Sequence, residues 1–246
     1  MPDHTAQPTC GAPDFCPVRY RAPMSRAVLF DLYNTLVPGG TEAQRRAVAA
    51  TMGTDLGVDP DIFADLFRQM YPQRVIGAFG DLEATIRALA VHAGAAPSPA
   101  AVRLAATRRQ THVRRVLWPS PGTLATLDAL RGRGWRLGLV SNCTAETPEL
   151  WKRTPLSPRF DAVAFSCELG VAKPEQGIYL AACSFLGVAP TDCLYVGDGG
   201  DRELSGAASL GMTVMRTEEY LPADGSWPAQ RIRSLSELAN IGGPSA

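Results

Sequence analysis

AVLFDLYNTL, residues 27–36, places four apolar residues directly before an aspartate and then turns to the polar, turn-forming Tyr33-Asn34-Thr35. A short apolar run of β-formers reads as a strand buried on both faces, the kind found in parallel sheets covered by helices. Asp31 then stands where the strand ends. In open α/β sheets the reactive crevice lies outside the carboxyl ends of the strands, so a carboxylate there is placed for chemistry. The competing reading is an aspartate that caps the next loop, and the other strand ends decide between the two.

Beyond Pro38-Gly39-Gly40 the pattern turns helical and stays so. Thr41 opens a helix to about residue 54, and Asp59 with Pro60 starts another whose apolar face carries Ile62, Phe63, Leu66, Phe67 and Met70 until Pro72 ends it. A glycine-punctuated loop over 73–81 leads to helical spacing over 82–93, and Pro97-Ser98-Pro99 introduces a long helix reaching Leu117. Strand and helix alternate from Pro119 onward: helix 123–131, strand 136–142, strand 161–166, helix 178–186, strand 193–198 and a last strand within 211–216. A short helix near 234–239 closes an otherwise loop-like tail. Such alternation implies right-handed parallel crossovers. The expected fold class is therefore α/β, a Rossmann-like three-layer core with a parallel sheet plus a helical cap inserted after the first strand. The expected division is a flexible leader over 1–23, a core over 24–40 and 118–246, and a cap over 41–117.

The 246 residues balance 24 Lys+Arg against 24 Asp+Glu, so net charge argues for neither a nucleic-acid nor a membrane partner. No apolar run approaches the ~20 residues of a membrane span, and the first 23 residues lack the apolar centre of a signal peptide. Cys143, Cys167, Cys183 and Cys193 lie in or beside apolar segments and read as reduced, packed thiols of a cytoplasmic protein, whereas Cys10 and Cys16 stand apart in the leader. Lys152 and Lys173 are the only lysines in an arginine-rich chain. Lys173, beside Pro174, invites a specific role.

The residues at and just past the strand ends form one chemical set: Asp31; Ser141 and Asn142; Lys173; then Asp198, Asp201 and Glu203. A carboxylate attacking phosphorus splits a difficult displacement into two easier ones. The charge that gathers calls for a divalent cation, and oxygen ligands suit Mg2+. Donors aimed at the transferring group complete the site, a task for Ser141 and Lys173.

Asp31-Leu32-Tyr33-Asn34-Thr35-Leu36, Ser141-Asn142, Lys173-Pro174, and Gly197-Asp198-Gly199 with Glu203 and Gly206-Ala207 after it closely resemble, in order and across residues 27–217, the four motifs of the haloacid dehalogenase-like hydrolase superfamily. The resemblance implies a Mg2+-dependent hydrolase, foremost a phosphatase of a small phosphorylated metabolite. Asp31 would be the nucleophile, and Ser141 and Lys173 would hold the phosphoryl oxygens. Asp31, Asp198, Glu203 and the backbone carbonyl of Tyr33 would form the metal site, with Thr35 and Asn142 at the substrate. Where phosphatases of this superfamily usually carry a second aspartate, this chain has Tyr33, a poor general base at neutral pH. Haloacid dehalogenases share Asp-x-Tyr but use no metal, and the acidic Gly197–Glu203 segment favours phosphate chemistry over theirs. A metal-independent 2-haloacid dehalogenase and a non-catalytic module that binds a phospho-ligand or protein stay open as other readings.

Arg74 and Phe79, in the loop joining two helices of the block, are candidate substrate contacts. The basic run Arg103, Arg108, Arg109, Arg114 and Arg115 reads as a solvated face, and His92 and His112 as surface or packed groups. Thr144 is expected to cap the helix after it. The expected assembly is a monomer or weak homodimer.

Overall fold

A computed structural model describes residues 27–222 and 230–241; the leader with Cys10 and Cys16 lies outside them. In chain order the strands are β1 (Ala27–Phe30), β2 (Arg136–Ser141), β3 (Ala162–Phe165), β4 (Cys193–Gly197), β5 (Thr213–Thr217) and β6 (Arg231–Ile232). They form one sheet in the order β3-β2-β1-β4-β5-β6, with every pair parallel. The helices are α1 (Glu42–Leu56), α2 (Pro60–Gln69), α3 (Tyr71–Arg74), α4 (Leu82–His92), α5 (Pro99–Val116), α6 (Pro121–Gly132), α7 (Glu146–Trp151), α8 (Ser166–Leu169), α9 (Gln176–Leu186) and α10 (Glu203–Ser209).

The strand period of two sorts side chains between two layers. Val28 and Phe30 face a cluster with Leu137, Leu139, Leu194, Val196 and the α6 residues Leu127 and Leu130. Ala27 and Leu29 face the opposite cluster, where α9 contributes Ile178, Tyr179, Ala182, Cys183 and Leu186. All four residues of β1 are fully buried, as a strand with neighbours on both edges and helices on both faces must be. Gly138 of β2 is what lets that packing close, since a Cβ there would come within 2.4 Å of Leu29 and 2.9 Å of Leu186.

Between β1 and β2 every named element is a helix, α1 to α6. Side-chain caps start most of these helices: Thr41 and Gln44 form a capping box, and Asp59, Asp81 and Ser98 each accept from first-turn amides of the next helix. Helices α1, α2, α4 and α5 bury an apolar cluster of their own around Met52, Phe63, Phe67, Ile86, Leu89 and Val102. The end of α5 belongs to the core instead, because Val113 and Leu117 pack into the β1–α6 layer.

Four local expectations need correction. Ile62, placed on the buried face of α2, is 59% exposed, and Ala64 takes the inner position. Pro72 does not leave a loop behind it. It sits in the first turn of α3, where its missing N–H removes no helical bond. Thr144 caps no helix, since α7 begins beyond Ala145 without a side-chain cap. The segment 213–217 is not the last strand, because β6 pairs with it through Arg216 and Thr217.

Candidate active site

Asp31 leaves β1 with its amide still donating to the Val196 carbonyl at 2.9 Å, so the carboxylate stands at the C-terminal edge of the two central strands. Immediately afterwards the backbone folds into one tight turn, in which the amides of Leu36 and Val37 both donate to the Leu32 carbonyl. Asn34 takes the left-handed conformation (φ 59°), and its side chain accepts from the Gly39 amide at 3.0 Å. Asn tolerates that conformation better than most residues.

Lys173 comes to Asp31 from the loop before α9. Asn142 clamps its backbone from both sides, accepting from the Lys173 amide at 2.7 Å and donating to the Lys173 carbonyl at 3.1 Å. The Asn142 amide also donates to Asp201 at 2.7 Å. Expected at the substrate, Asn142 does line the cavity, yet its polar atoms are occupied in holding Lys173 and Asp201 in place. The Lys173–Pro174 peptide is cis. From this mount the Lys173 ammonium donates to Asp31, to Glu203 at 2.5 Å and to the Tyr195 hydroxyl at 3.3 Å.

Glu203 is the most heavily bonded of the carboxylates. Its Oε2 also accepts from Tyr195 at 2.7 Å and its Oε1 from the Gly199 amide at 3.0 Å, while its backbone carbonyl accepts from Tyr179 at 2.8 Å. Gly197 makes room for it, since a Cβ there would lie 2.0 Å from Glu203 Oε1. Asp198 accepts from the Gly200 amide at 2.9 Å. Carboxylate oxygens of Asp31, Asp198 and Glu203 all lie within 4.8 Å of one another, and all three residues are buried.

The electrostatics stem from that crowding. Burial raises the Asp31 pKa, with Asp198 adding to the rise and Lys173 opposing it. Burial, then Asp31, push Glu203 up to about 8, against Lys173. Burial on its own would discharge Lys173, but Asp31 and Glu203 outweigh it and hold the ammonium firmly protonated. Three buried carboxylates sharing one lysine are short of positive charge, and their oxygen atoms at this spacing could hold a metal ion.

Ser141, the last residue of β2, and Thr35 carry buried hydroxyls that find no hydrogen-bond partner among the described residues. Tyr33 is different. Its hydroxyl meets the Thr147 hydroxyl at 3.0 Å, and burial raises its pKa far above the ordinary phenol value. It remains a phenol throughout the physiological range.

Residues 25–211 match the sequence model of a hydrolase family described as haloacid dehalogenase-like hydrolase. The chain belongs to this haloacid dehalogenase-like hydrolase family. A glyceraldehyde 3-phosphate phosphatase of Methanopyrus kandleri is 33% identical over 203 residues, covering 78% of this chain and 84% of the relative. A ribulose-1,5-bisphosphate 5-phosphatase of Halopiger xanaduensis is 27% identical, covering 89% and 99% of the two chains. Among solved structures, a phosphatase of the same superfamily from Thermococcus onnurineus superposes with a TM-score of 0.65 at 25% identity, covering 89% of this chain and all of that one.

In this haloacid dehalogenase-like hydrolase the acidic site opens into a cavity of about 450 Å3, within the range of small-molecule sites. Its core wall includes Asp31, Asn142, Lys173, Asp198 and Glu203, and its helical wall Phe67, Tyr71, Arg74, Arg109 and His112. Arg74 therefore lines the cavity. Phe79 is not among the lining residues; it packs against the apolar cluster of the helices, and Phe67 supplies the aromatic wall in its place. Sequence pattern alone gave no sign of a buried network on that wall. Arg109 donates to Glu146 at 2.6 Å, and the Thr144 hydroxyl donates to the same oxygen at 2.8 Å. Burial opposes the charge on Glu146, but Arg109 and these hydrogen bonds prevail and keep its pKa below the usual carboxylate value.

Proposed function

We propose that the protein is a Mg2+-dependent phosphatase that hydrolyses a small phosphorylated metabolite through an aspartyl-phosphate on Asp31. The observation that carries this reading is the buried acidic triad joined to Lys173. A carboxylate nucleophile that needs no cation gains nothing from two more carboxylates beside it, whereas one that attacks an anionic phosphoryl group needs a cation between them. Asp31 and Asp198 would hold the ion with the Tyr33 carbonyl, and Glu203, its oxygens engaged with Lys173, Tyr195 and Gly199, would brace the site from behind. When bound, the ion supplies charge neutralisation between attacking and transferring oxygens.

Asp31 attacks phosphorus, the P–O bond to the substrate oxygen breaks, and the alkoxide leaves with the bonding pair and takes its proton from solvent water. Water then cleaves the acyl phosphate, returning the carboxylate and releasing inorganic phosphate. Lys173 fixes the orientation of Asp31 and offers a charged donor to the transferring oxygens, and the buried hydroxyls of Ser141 and Thr35 are suited to share that task. The helices over 41–117 act as a cap whose wall selects the substrate. The Methanopyrus and Halopiger phosphatases are both named for phosphate esters of small sugars, one with a single phosphate and one with two. The free thiols of Cys143, Cys167, Cys183 and Cys193 suit a reducing, cytoplasmic setting.

The test is a phosphate-release screen over phosphorylated metabolites, with Mg2+ and with EDTA, run beside a halide-release assay on 2-haloacids. Mg2+-dependent phosphate release that disappears in Asp31→Asn supports the reading. Halide release that persists in EDTA would replace it with dehalogenation.

A further inference from the structure

The helical wall of the cavity holds a charge that the phosphate chemistry does not use. Arg74 is 6% exposed, and its guanidinium stacks on the Phe67 ring with Cζ 3.6 Å from the ring centroid. Its Nε donates to the Phe67 carbonyl at 3.2 Å, and among the described residues no carboxylate pairs with it. Arg109 lies over the same ring at 5.5 Å, but it has its own counter-charge in Glu146. Glu146 Oε1 in turn accepts from both Arg109 and Thr144. Two guanidiniums and one carboxylate thus share a water-poor wall, and one positive charge is left over. A nearly buried cation with no carboxylate bonded to it is unfavourable by several kcal/mol unless an anion answers it. A guanidinium held flat by an aromatic ring and a carbonyl presents its remaining N–H groups as a rigid fork, suited to carboxylate or phosphate.

The opposite wall, with Asp31, Lys173 and the acidic triad, receives the phosphoryl group in the proposed phosphatase reaction, on which this inference rests. We propose that Arg74, supported by Arg109, is a second anion subsite, and that the substrate is a phosphate monoester carrying another anionic group, a carboxylate or a second phosphate, at the end remote from the ester that is cleaved. The cavity of about 450 Å3 accommodates a short carbon skeleton between the two. Tyr71, with its ring 5.7 Å from the Arg74 guanidinium, borders the same subsite.

Two matched pairs of substrates isolate the second charge. 3-Phosphoglycerate differs from glyceraldehyde 3-phosphate by a carboxylate, and ribulose 1,5-bisphosphate differs from ribulose 5-phosphate by a phosphate. In at least one pair the doubly anionic member is expected to have a kcat/KM at least tenfold above its partner. Arg74→Gln should lower that ratio at least tenfold, chiefly through KM, and Arg74→Lys should recover part of it, with thermal melts confirming that both variants fold. Equal use of both members in both pairs, or an equal loss for both in Arg74→Gln, would overturn the subsite. Calorimetric binding of the four compounds to Asp31→Asn in Mg2+ separates this from failure of the phosphatase reading. If the wild-type protein releases no phosphate from any of them, at least tenfold tighter binding of a doubly anionic member still supports the subsite, and indifferent binding overturns it.

Discussion

Tyr33 stands where a general acid for the leaving group is usual, yet its hydroxyl is turned to Thr147 and is too weak an acid to protonate a departing alkoxide. Turnover should therefore depend steeply on the leaving group, and aryl phosphates of low phenol pKa should be cleaved at least ~10-fold faster than alkyl phosphates. Tyr33→Asp should narrow that gap by a similar factor. A flat dependence on leaving-group pKa in the wild-type protein would show that another acid serves the site. Glu146 governs the opposite wall. Because its folded pKa is depressed, its contribution to stability is present above the ordinary carboxylate range and disappears as pH falls through the folded value. Glu146→Gln, which leaves Arg109 uncompensated, should lose about 3 kcal/mol at pH 7 in urea titrations, and the difference from wild type should shrink below roughly pH 4. The two walls were unequally legible in the sequence. Asp31, Ser141 and Asp198 directly succeed or end apolar strands, so their meeting is implied once the strands are parallel. The pairing of Arg109 with Glu146 joins two segments with no shared pattern, and in a helix with five arginines nothing local says which one turns inward.

At the scale of elements, α10 is pressed against the loop that carries Lys173. A Cβ on Gly206 would stand 2.7 Å from the Pro174 carbonyl and 2.7 Å from the Tyr179 hydroxyl. The carbonyl belongs to the backbone, so the loop itself must move. Gly206→Ala should destabilise the fold by about 1–3 kcal/mol, and phosphate release should fall by more than the loss of folded protein accounts for, since Lys173 shifts with the loop. Unchanged kinetics in that variant would mean that the loop adapts without disturbing the lysine. Long periodic elements such as α4 and α5 were readable almost to their ends. Two-residue β6 was not, because so short a strand has no period and exists only through its pairing with β5. The exposure of Ile62 has a related cause: apolar spacing marks a helical face, but not how far round the helix the neighbouring elements reach.

Across the whole molecule, α1, α2, α4 and α5 bury an apolar cluster of their own, and of these four α5 alone continues into the core layer, through Val113 and the adjoining Leu117. Native-state hydrogen exchange should accordingly find α2 and α4 opening at lower free energy than β1 and β4, with protection at least ~10-fold lower; uniform protection would indicate that the two clusters unfold as one. The order of the sheet also dictates when the site can exist. Ala27 begins the strand that ends at Asp31, but its partners in the sheet are Arg136 and Cys193. At ~5–20 residues per second of synthesis, β1 waits roughly ten to thirty seconds for β4 to emerge. Throughout that interval at least one edge of an apolar strand stays unpaired and must be kept from other chains. The nucleophile is made before both strands that flank its own, so recovery of phosphate release during refolding should serve as a clock for completion of the sheet.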